Sequence, residues 1–363
     1  PMITKIRLQN WKSFKDSTIY IDSLGILIGT NASGKSNVLD AFAFLRAVGD
    51  GKSLLDAIQT VRGGEDWIIR RGENTFCIEA EIETKEGNFI LDLRVIKKDS
   101  GFSYGPCEIH RLGSITEENV PDEFTDSTRN ITWKTYNIPS SMDLWSSLYA
   151  TLRNIVILDP VPAKMRDYCK ISKELKPDGS NVAGVLCAMA PEEKENVENI
   201  VSSYVRPLPE RDINKVISVP VGLIKSDAML YCYEDWNPDQ PVDARGMSDG
   251  TLRFIAIVVA LLTAAPHSLL LIEEVDNGLH PSRAKELVDM LKELSRKRQV
   301  DVLCTTHNPV LLDELGNKMI PFVSYVTRDE YGDSHVKLLE EKENLAKLMA
   351  SGTLGRIMIN GKI

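Results

Sequence analysis

The chain has 363 residues, with 43% hydrophobic and 26% charged residues and a net charge of −9. This length predicts about two to three domains, or one domain with a large insertion, and the composition argues against a disordered chain. The negative charge disfavours a generally basic nucleic-acid-binding protein, so contact with a phosphate polymer would require a local basic patch.

Neither metal-binding cysteines nor a membrane span is expected. The six cysteines are scattered without a C-x-x-C pair, which argues against a zinc site or a disulfide framework. The longest apolar run, residues 254–265, is too short to cross a bilayer of about 30 Å. The sequence does not open on a charged and then apolar leader, so we expect a cytoplasmic protein without membrane contact.

The first predicted elements form a sheet. Residues 3–11 and 17–21 alternate apolar and polar side chains, which indicates two strands leading to a buried strand at 25–28. Helical periodicity follows at 37–45 and 52–61. Two alternating segments, 76–83 and 89–95, are separated by a glycine-containing turn and predict an antiparallel hairpin.

The middle of the chain, residues 98–225, is predicted to be an inserted lobe rich in helices and loops. Periodicity fades from 98 to 140, and a buried strand is expected at 155–158. The predicted helices of the lobe are 145–152, 170–175, 181–189 and 191–205.

Strands and helices alternate again in the last part of the chain. A strand at 228–233 precedes a helix that begins after Ser248 and ends near residue 265. The apolar strand 269–272, a helix at 281–298 and a strand at 300–304 follow, and this order predicts a parallel sheet covered on both faces. The predicted divisions are therefore 2–97, 98–225 and 226–363.

Residues 29–36, with the sequence GTNASGKS, fit the phosphate-binding loop pattern G-x-x-x-x-G-K-[ST] between a predicted strand and helix. Backbone N–H groups and the helix start would hold an anion, Lys35 would reach the β- and γ-phosphates of ATP, and Ser36 would contact Mg²⁺. A chance glycine turn is the alternative. The predicted nucleotide-binding residues are Asn31, Ala32, Ser33, Gly34, Lys35, Ser36 and Asn37.

Further chemistry is predicted at the ends of two apolar strands. Glu273 would hold Mg²⁺, directly or through water, and Glu274 would orient and deprotonate the attacking water. His307, after the next strand, would donate to the γ-phosphate or hold the water. The alternative is a pair of helix-capping acids and an ordinary loop histidine.

These residues resemble the ATP-binding-cassette-type ATPase heads of the RecF, Rad-fifty and structural-maintenance-of-chromosomes (SMC) group, and most closely small bacterial ATPases related to the OLD family. The segments that carry the resemblance are 6–14, 33–37, 180–183, 247–253, 273–281 and 306–309. Ala32, Asp249 and Glu273 depart from the commoner residues of the group.

The resemblance implies a P-loop NTPase with α/β architecture: a mixed sheet, an antiparallel β subdomain and an inserted helical lobe. It also implies a homodimer in which ATP lies between the loop of one subunit and the signature of the other. The residues expected to complete the site are Ser248, Asp249, Gly250, Thr251 and Asp276. The glutamine that couples nucleotide to the lobe in such heads is not evident, with Gln59 as the nearest candidate.

The biological role implied by the resemblance is a switch or motor for a protein effector in DNA maintenance or antiphage defence. Residues 308–363 hold no cluster of acids typical of a nuclease, so no nuclease domain is expected. A scaffold or sensor that binds ATP but hydrolyses little is the alternative, and a transporter subunit is disfavoured. The arginines Arg62, Arg70 and Arg71 are candidates either for a DNA surface or for ion pairs with Glu65, Asp66 and Glu73.

Overall fold

The computed structural model describes residues 2–113, 121–136, 138, 141–208, 212–350, 352–353 and 355–356. Its strands are β1 (Met2–Trp11), β2 (Phe14–Tyr20), β3 (Leu24–Ile28), β4 (Thr75–Thr84), β5 (Gly87–Lys98), β6 (Gly101–Tyr104), β7 (Cys107–Arg111), β8 (Asp122–Asp126), β9 (Ile131–Tyr136), β10 (Ile155–Leu158), β11 (Cys169–Lys170), β12 (Ile213–Val221), β13 (Asp227–Glu234), β14 (Asn237–Asp243), β15 (Leu269–Ile272), β16 (Asp301–Thr306), β17 (Val323–Arg328) and β18 (Ser334–Leu338).

The α-helices are α1 (Lys35–Gly49), α2 (Leu54–Gln59), α3 (Gly64–Trp67), α4 (Met142–Arg153), α5 (Pro162–Met165), α6 (Val182–Cys187), α7 (Pro191–Val205), α8 (Asp249–Thr263), α9 (Ala284–Arg298), α10 (Pro309–Leu315) and α11 (Leu345–Ala350). Short 3₁₀ helices lie at Ala244–Gly246, Pro281–Arg283, Asn317–Phe322 and Leu339–Glu341. Within the described ranges, no helix has the length and apolar character to span a membrane.

Most of the described strands form one large mixed sheet. The strand order is β10-β15-β16-β3-β17-β18-β2-β1-β4-β5-β7-β9-β8, with β6 paired to β5. The first five strands are mutually parallel, and the β2-β1-β4-β5 part is antiparallel. The predicted hairpin of residues 76–83 and 89–95 is confirmed as β4 and β5.

The parallel strands are buried on both faces because helices cover each side. Leu269 and Leu271 of β15 pack in one core with α1 and α4, whereas Leu270 and Ile272 pack in the other with α8 and α9. Alternate residues of a strand point to opposite faces, so a continuous apolar run is needed to fill both cores. The prediction of a doubly covered parallel sheet is confirmed.

Residues 98–225 contain more strand than the predicted helical lobe. The strands β6 to β9 extend the large sheet and β10 lies at its other edge, as predicted for 155–158. Helices α4, α6 and α7 confirm three predicted helices, but a helix at 170–175 is wrong. Cys169 and Lys170 instead pair with β13 in a second sheet, where Ile171 N donates to Ser226 O.

The second sheet is small and antiparallel. The strand β13 lies at its centre, with β12 along one edge and β11 and β14 along the other. Helices α6 and α7 pack against β12, and α7 also contacts α8. Helix α7 thus lies between this sheet and α8, the helix that begins just after Ser248. The three predicted divisions of the chain stay a prediction.

We expect Gly184→Ala to destabilise the protein by about 1–3 kcal/mol, because the new methyl group overpacks two backbone segments. A Cβ on Gly184 would lie 2.0 Å from the carbonyl oxygen of Lys170. In an open helix the same substitution stabilises by up to about 1 kcal/mol, so a loss is diagnostic. Urea unfolding measures it.

Gly105→Ala is the matched control. A Cβ there would meet the side chain of Ile96 at 2.9 Å, and a side chain can rotate away more easily than backbone can move. An equal loss in both variants would contradict the close packing of α6 on β11.

Candidate functional site

Three neighbouring parallel strands deliver the predicted catalytic residues to one edge of the sheet. The strand β16 lies between β15 and β3, so the segments that follow these three strands share that edge. Glu273 and Glu274 follow β15, His307 follows β16, and the 29–36 loop follows β3. Ligands bind at this edge in open α/β sheets.

The 29–36 loop turns directly into α1, as the sequence predicts. Gly34 is the residue before the helix and has φ 118°, a conformation that favours glycine. A side chain there would also collide with Ser334, whose hydroxyl donates to Ser33 O at 2.6 Å. The first N–H groups of α1 have no partner within the helix, which makes this helix start suited to an anion.

Lys35 is buried beneath the loop and is bonded to its main chain. The Nζ atom donates to Gly29 O at 2.7 Å and to Thr30 O at 2.8 Å. Burial lowers the pKa of Lys35, against the opposing attraction of the Glu274 and Glu273 carboxylates. The lysine is therefore bonded to the loop and attracted by the carboxylates of Glu273 and Glu274 at the end of β15.

The turn between β1 and β2 braces the start of α1. Trp11 Nε1 donates to Asn37 O at 2.8 Å, and Asn37 Nδ2 donates to Ser13 Oγ at 2.9 Å. Lys12 forms an ion pair of 2.6 Å with Asp40 of the same helix. Asn37, predicted as a nucleotide contact, thus also anchors the N-terminal turn.

Glu273 contacts the loop directly. Its Oε1 atom accepts from Ser36 Oγ at 2.5 Å, and Arg62 donates to both carboxylate oxygens at 3.0 Å. Burial on its own raises the pKa of Glu273, but the bonds from Arg62 and Ser36 outweigh it, so the pKa lies below the ordinary value. The carboxylate is therefore charged at neutral pH and shared between a hydroxyl and a guanidinium.

Glu274 and His307 form a second pair beside the first. His307 Nδ1 lies 3.3 Å from Glu274 Oε1, and both side chains are partly exposed. Glu274 has φ 45°, a conformation uncommon for residues other than glycine, and its N–H donates to Thr305 Oγ1 at 2.8 Å. A base and a histidine in contact at an accessible strand end can orient a water molecule.

The donor set fits Mg²⁺ and a phosphate chain. Hydroxyl and carboxylate oxygens, as supplied by Ser36 and Glu273, are ligands that Mg²⁺ prefers, with phosphate oxygens and water completing its shell. Ser33 Oγ is buried in the loop without a hydrogen-bond partner. Ser36 and Glu273 would hold the cation, and the loop amides and Lys35 would hold phosphate.

The signature segment lies at the start of α8. Ser248 Oγ accepts from Thr251 N at 3.1 Å and caps the helix. Asp249 is exposed and forms an ion pair with Arg166, which also donates to Met247 O. A Cβ on Gly250 would lie 2.5 Å from Gly278 O, so this glycine allows the loop after Glu274 to pack on the helix.

Arg253 joins the signature helix to the catalytic strand and was given no role by the sequence. It is buried, and its Nη2 donates to Glu273 O at 2.6 Å and Glu274 O at 2.8 Å. Its Nη1 donates to Pro160 O at 2.7 Å. Arg253 is the only charged residue of α8 after Asp249, and this pattern could have identified it, since a buried charge needs partners.

Four other predicted residues have different surroundings. Asp276 is buried and accepts from Thr306 Oγ1 at 2.9 Å, so its described contact fixes the loop to β16. Gln59 is exposed at the end of α2. Asn31 and Ala32 are exposed on the loop, and Ala32 O accepts from Arg328 at 3.3 Å.

Two family models match the chain. Residues 2–89 match the model described as "AAA ATPase domain", and residues 188–313 match "AAA domain, putative AbiEii toxin, Type IV TA system". None of the curated proteins matches it.

Solved SMC heads share the fold. An SMC head bound to the C-winged helix domain of ScpA aligns with a TM-score of 0.57 and 16% identity over 93% of this chain and 97% of that chain. An SMC head with an extended coiled coil, bound to a ScpA C-terminal domain derived from Pyrococcus furiosus, aligns with a TM-score of 0.55 and 15% identity over 96% and 99%. The SMC head domain from Thermotoga maritima gives 0.51 and 14% over 93% and 99%.

The chain therefore has the fold of an ABC-type ATPase head, and two parts of it match AAA ATPase domain models. The identities are low, so the solved heads establish the fold of this protein and nothing further about it.

The arginines predicted as a DNA surface of the head are largely paired with acids. Arg62 bonds Glu273 and Asp40, and Arg70 forms a two-bond ion pair with Asp333. The described contacts favour ion pairs over a free basic patch, but the main partners are not those predicted. Of the predicted acids, only Glu73 has a described ion pair with one of these arginines, at 3.7 Å from Arg70.

Glu273 should contribute to the stability of the head at neutral pH, because its pKa is lower in the folded protein than in the unfolded chain. That contribution is complete above the unfolded glutamate pKa of about 4.3 and is lost as pH falls through the lower folded pKa. Glu273→Gln should therefore be less stable than the parent at about pH 7, with the difference shrinking by about pH 3. Urea unfolding at the two pH values measures it, and Glu65→Gln, an exposed acid on α3, should change little at either pH. A pH-independent loss would contradict the assignment.

Proposed function

We propose that this head binds ATP with Mg²⁺ and hydrolyses it. The observation that carries the proposal is the contact between Ser36 of the phosphate loop and Glu273 at the end of β15. It brings a P-loop helix start, a buried lysine and a cation-binding oxygen pair to one place. The AAA ATPase family matches support the same activity.

In this proposal the residues divide the chemistry between them. Lys35 and the loop amides hold the β- and γ-phosphates, and Ser36 and Glu273 hold the cation, which neutralises phosphate charge. Glu274 accepts a proton from the attacking water, and His307, 3.3 Å away, orients Glu274 or the γ-phosphate.

We also infer that two heads close around ATP. Ser248 caps the N-terminus of α8 and Asp249 forms an ion pair with Arg166, whereas Glu273 bonds the phosphate loop of its own chain. In the proposed dimer, a second head supplies the N-terminus of its α8 to the nucleotide, where the helix start would favour a γ-phosphate.

The partner proposed for this switch is a protein effector in DNA maintenance or antiphage defence. Two solved SMC heads are bound to ScpA domains, and one matched family model is named for a toxin–antitoxin system; both support a partner-directed role. A sensor that binds ATP with little turnover is the second candidate, favoured by the direct hold of Arg62 on Glu273.

Lys35→Ala should weaken ATP binding by at least about tenfold, because it removes the charge that lies at the phosphate loop.

Glu274→Gln should bind ATP as tightly as the parent but release little phosphate, since the amide cannot accept the proton. Calorimetric titration with ATP and steady-state phosphate release separate the two effects. Unchanged affinity in folded Lys35→Ala would overturn nucleotide binding at this loop, and a parent that binds ATP without phosphate release would favour the sensor.

Ser248→Arg should abolish ATP-driven dimerisation and hydrolysis while leaving ATP binding intact, because the long cation blocks the proposed interface. Ser203→Arg, on the exposed side of α7, is the matched control. Loss of the helix cap at Ser248 is expected to lower stability by about 1 kcal/mol, so unfolding is checked alongside. Light scattering with the Glu274→Gln background measures the dimer. A Ser248→Arg protein that still dimerises and hydrolyses ATP at the parental rate would refute the shared site.

A further inference from the structure

Arg62 occupies the carboxylate that the proposed function assigns to a cation. Its Nη1 donates to Glu273 Oε1 and its Nη2 to Glu273 Oε2, each at 3.0 Å. The Oε1 atom is also the one that accepts from Ser36. The guanidinium therefore bonds the same oxygen that joins the two predicted cation ligands.

A second carboxylate completes the position of Arg62. Its Nε donates to Asp40 Oδ1 at 3.2 Å, and Lys12 donates to Asp40 Oδ2 at 2.6 Å. The side chain of Arg62 is 53% exposed, compared with 17% for Glu273 and 6% for Asp40. The buried Asp40 and the partly buried Glu273 are thus both bonded to a guanidinium whose own side chain is half exposed to solvent.

A divalent cation bound directly to Glu273 would compete with the guanidinium for the same carboxylate oxygens. Mg²⁺ binds oxygen ligands at about 2.0–2.1 Å with near-octahedral geometry, whereas Arg62 already uses both carboxylate oxygens. We propose that Arg62 is a positioning residue that holds Glu273 in place of the cation and must release it when the cation binds. This inference rests on the proposed function, because it concerns the same cation site.

Arg62 lies between two cavities, so its release from Glu273 would alter both of them. It follows α2 and lines two cavities of about 770 Å³ and 880 Å³, one beside α1 and β10 and the other beside the β1–β2 turn. Gly63 and Gly64, next in the chain, both have positive φ. When Arg62 leaves Glu273, a side chain that lines both cavities moves. Binding of the cation would in this way affect the conformation of the segment between α2 and α3.

The test uses Mn²⁺ as the probe and the full chain without nucleotide. Electron paramagnetic resonance of free Mn²⁺ measures binding to the parent, Arg62→Gln, Arg62→Lys and Glu273→Gln. Arg71→Gln is the matched control, because Arg71 lines the cavity of about 880 Å³ with Arg62 but makes no described bond to Glu273.

Arg62→Gln should bind Mn²⁺ about tenfold more tightly than the parent, because the competing charged hydrogen bonds are lost. Arg62→Lys should lie between them, since lysine keeps the charge but not the two-bond fork. Arg71→Gln should match the parent, and Glu273→Gln should lose the binding.

Two results would overturn the inference. One refutes only the competition between Arg62 and the cation, and the other also refutes the cation site. Unchanged or weaker Mn²⁺ binding by Arg62→Gln, with binding still lost in Glu273→Gln, refutes competition but leaves the cation site. Equal binding by Glu273→Gln and the parent, or none by either the parent or Arg62→Gln, refutes competition and the cation site together. ATP titration of Lys35→Ala then decides nucleotide binding separately.

Discussion

Parallel pairing of β15, β16 and β3 is the constraint on which the site depends. The register sets Ile272 beside Cys304 and Thr306 beside Ile28, so the three following segments leave the sheet at one edge. The strands can lie there only because both faces are covered, which requires the apolar runs and the helices α1 and α8. The phosphate loop, the two acids and the histidine are assembled by the same packing that forms the core.

Charge balance is the second organising feature. Lys35, Arg62 and Lys12 lie among Glu273, Asp40 and Glu274. Ion pairs join Lys12 to Asp40 and Arg62 to both Asp40 and Glu273. Buried carboxylates without partners would be unstable, so Arg62 and Lys12 stabilise the fold at the same time as they set the charge seen by a ligand. If a phosphate chain binds here as proposed, we expect its affinity to depend on how readily these ion pairs open.

The loop, Glu273, Glu274 and His307 could be predicted because each follows an apolar run in a recognisable local pattern. The hydrogen bonds of Arg62 to Glu273 could not be predicted. The two residues are 211 positions apart in the sequence, and a local pattern carries no information on such pairs. The strands β6 to β9 were all missed. The strands β6 and β8 are short and partly exposed, so their periodicity is weak. Cys169–Lys170 pairs with a strand far along the chain, and this tertiary contact prevailed over local helical preference.

Within each chain of the proposed dimer, Arg253 connects the signature at the start of α8 to Glu273 and Glu274 at the end of β15. It bonds the backbone of Glu273 and Glu274, so the start of α8 cannot shift without disturbing the strand end in the same chain. In a closed pair of heads, the signature of one chain would meet the nucleotide held by the other. Each signature would then report on the partner's nucleotide while being tied to its own catalytic acids. Because Arg253 is buried and bonded to the backbone of Pro160, Glu273 and Glu274, we expect closure of the proposed dimer to change exposed contacts, such as those of Arg62 and Asp249, more than this one.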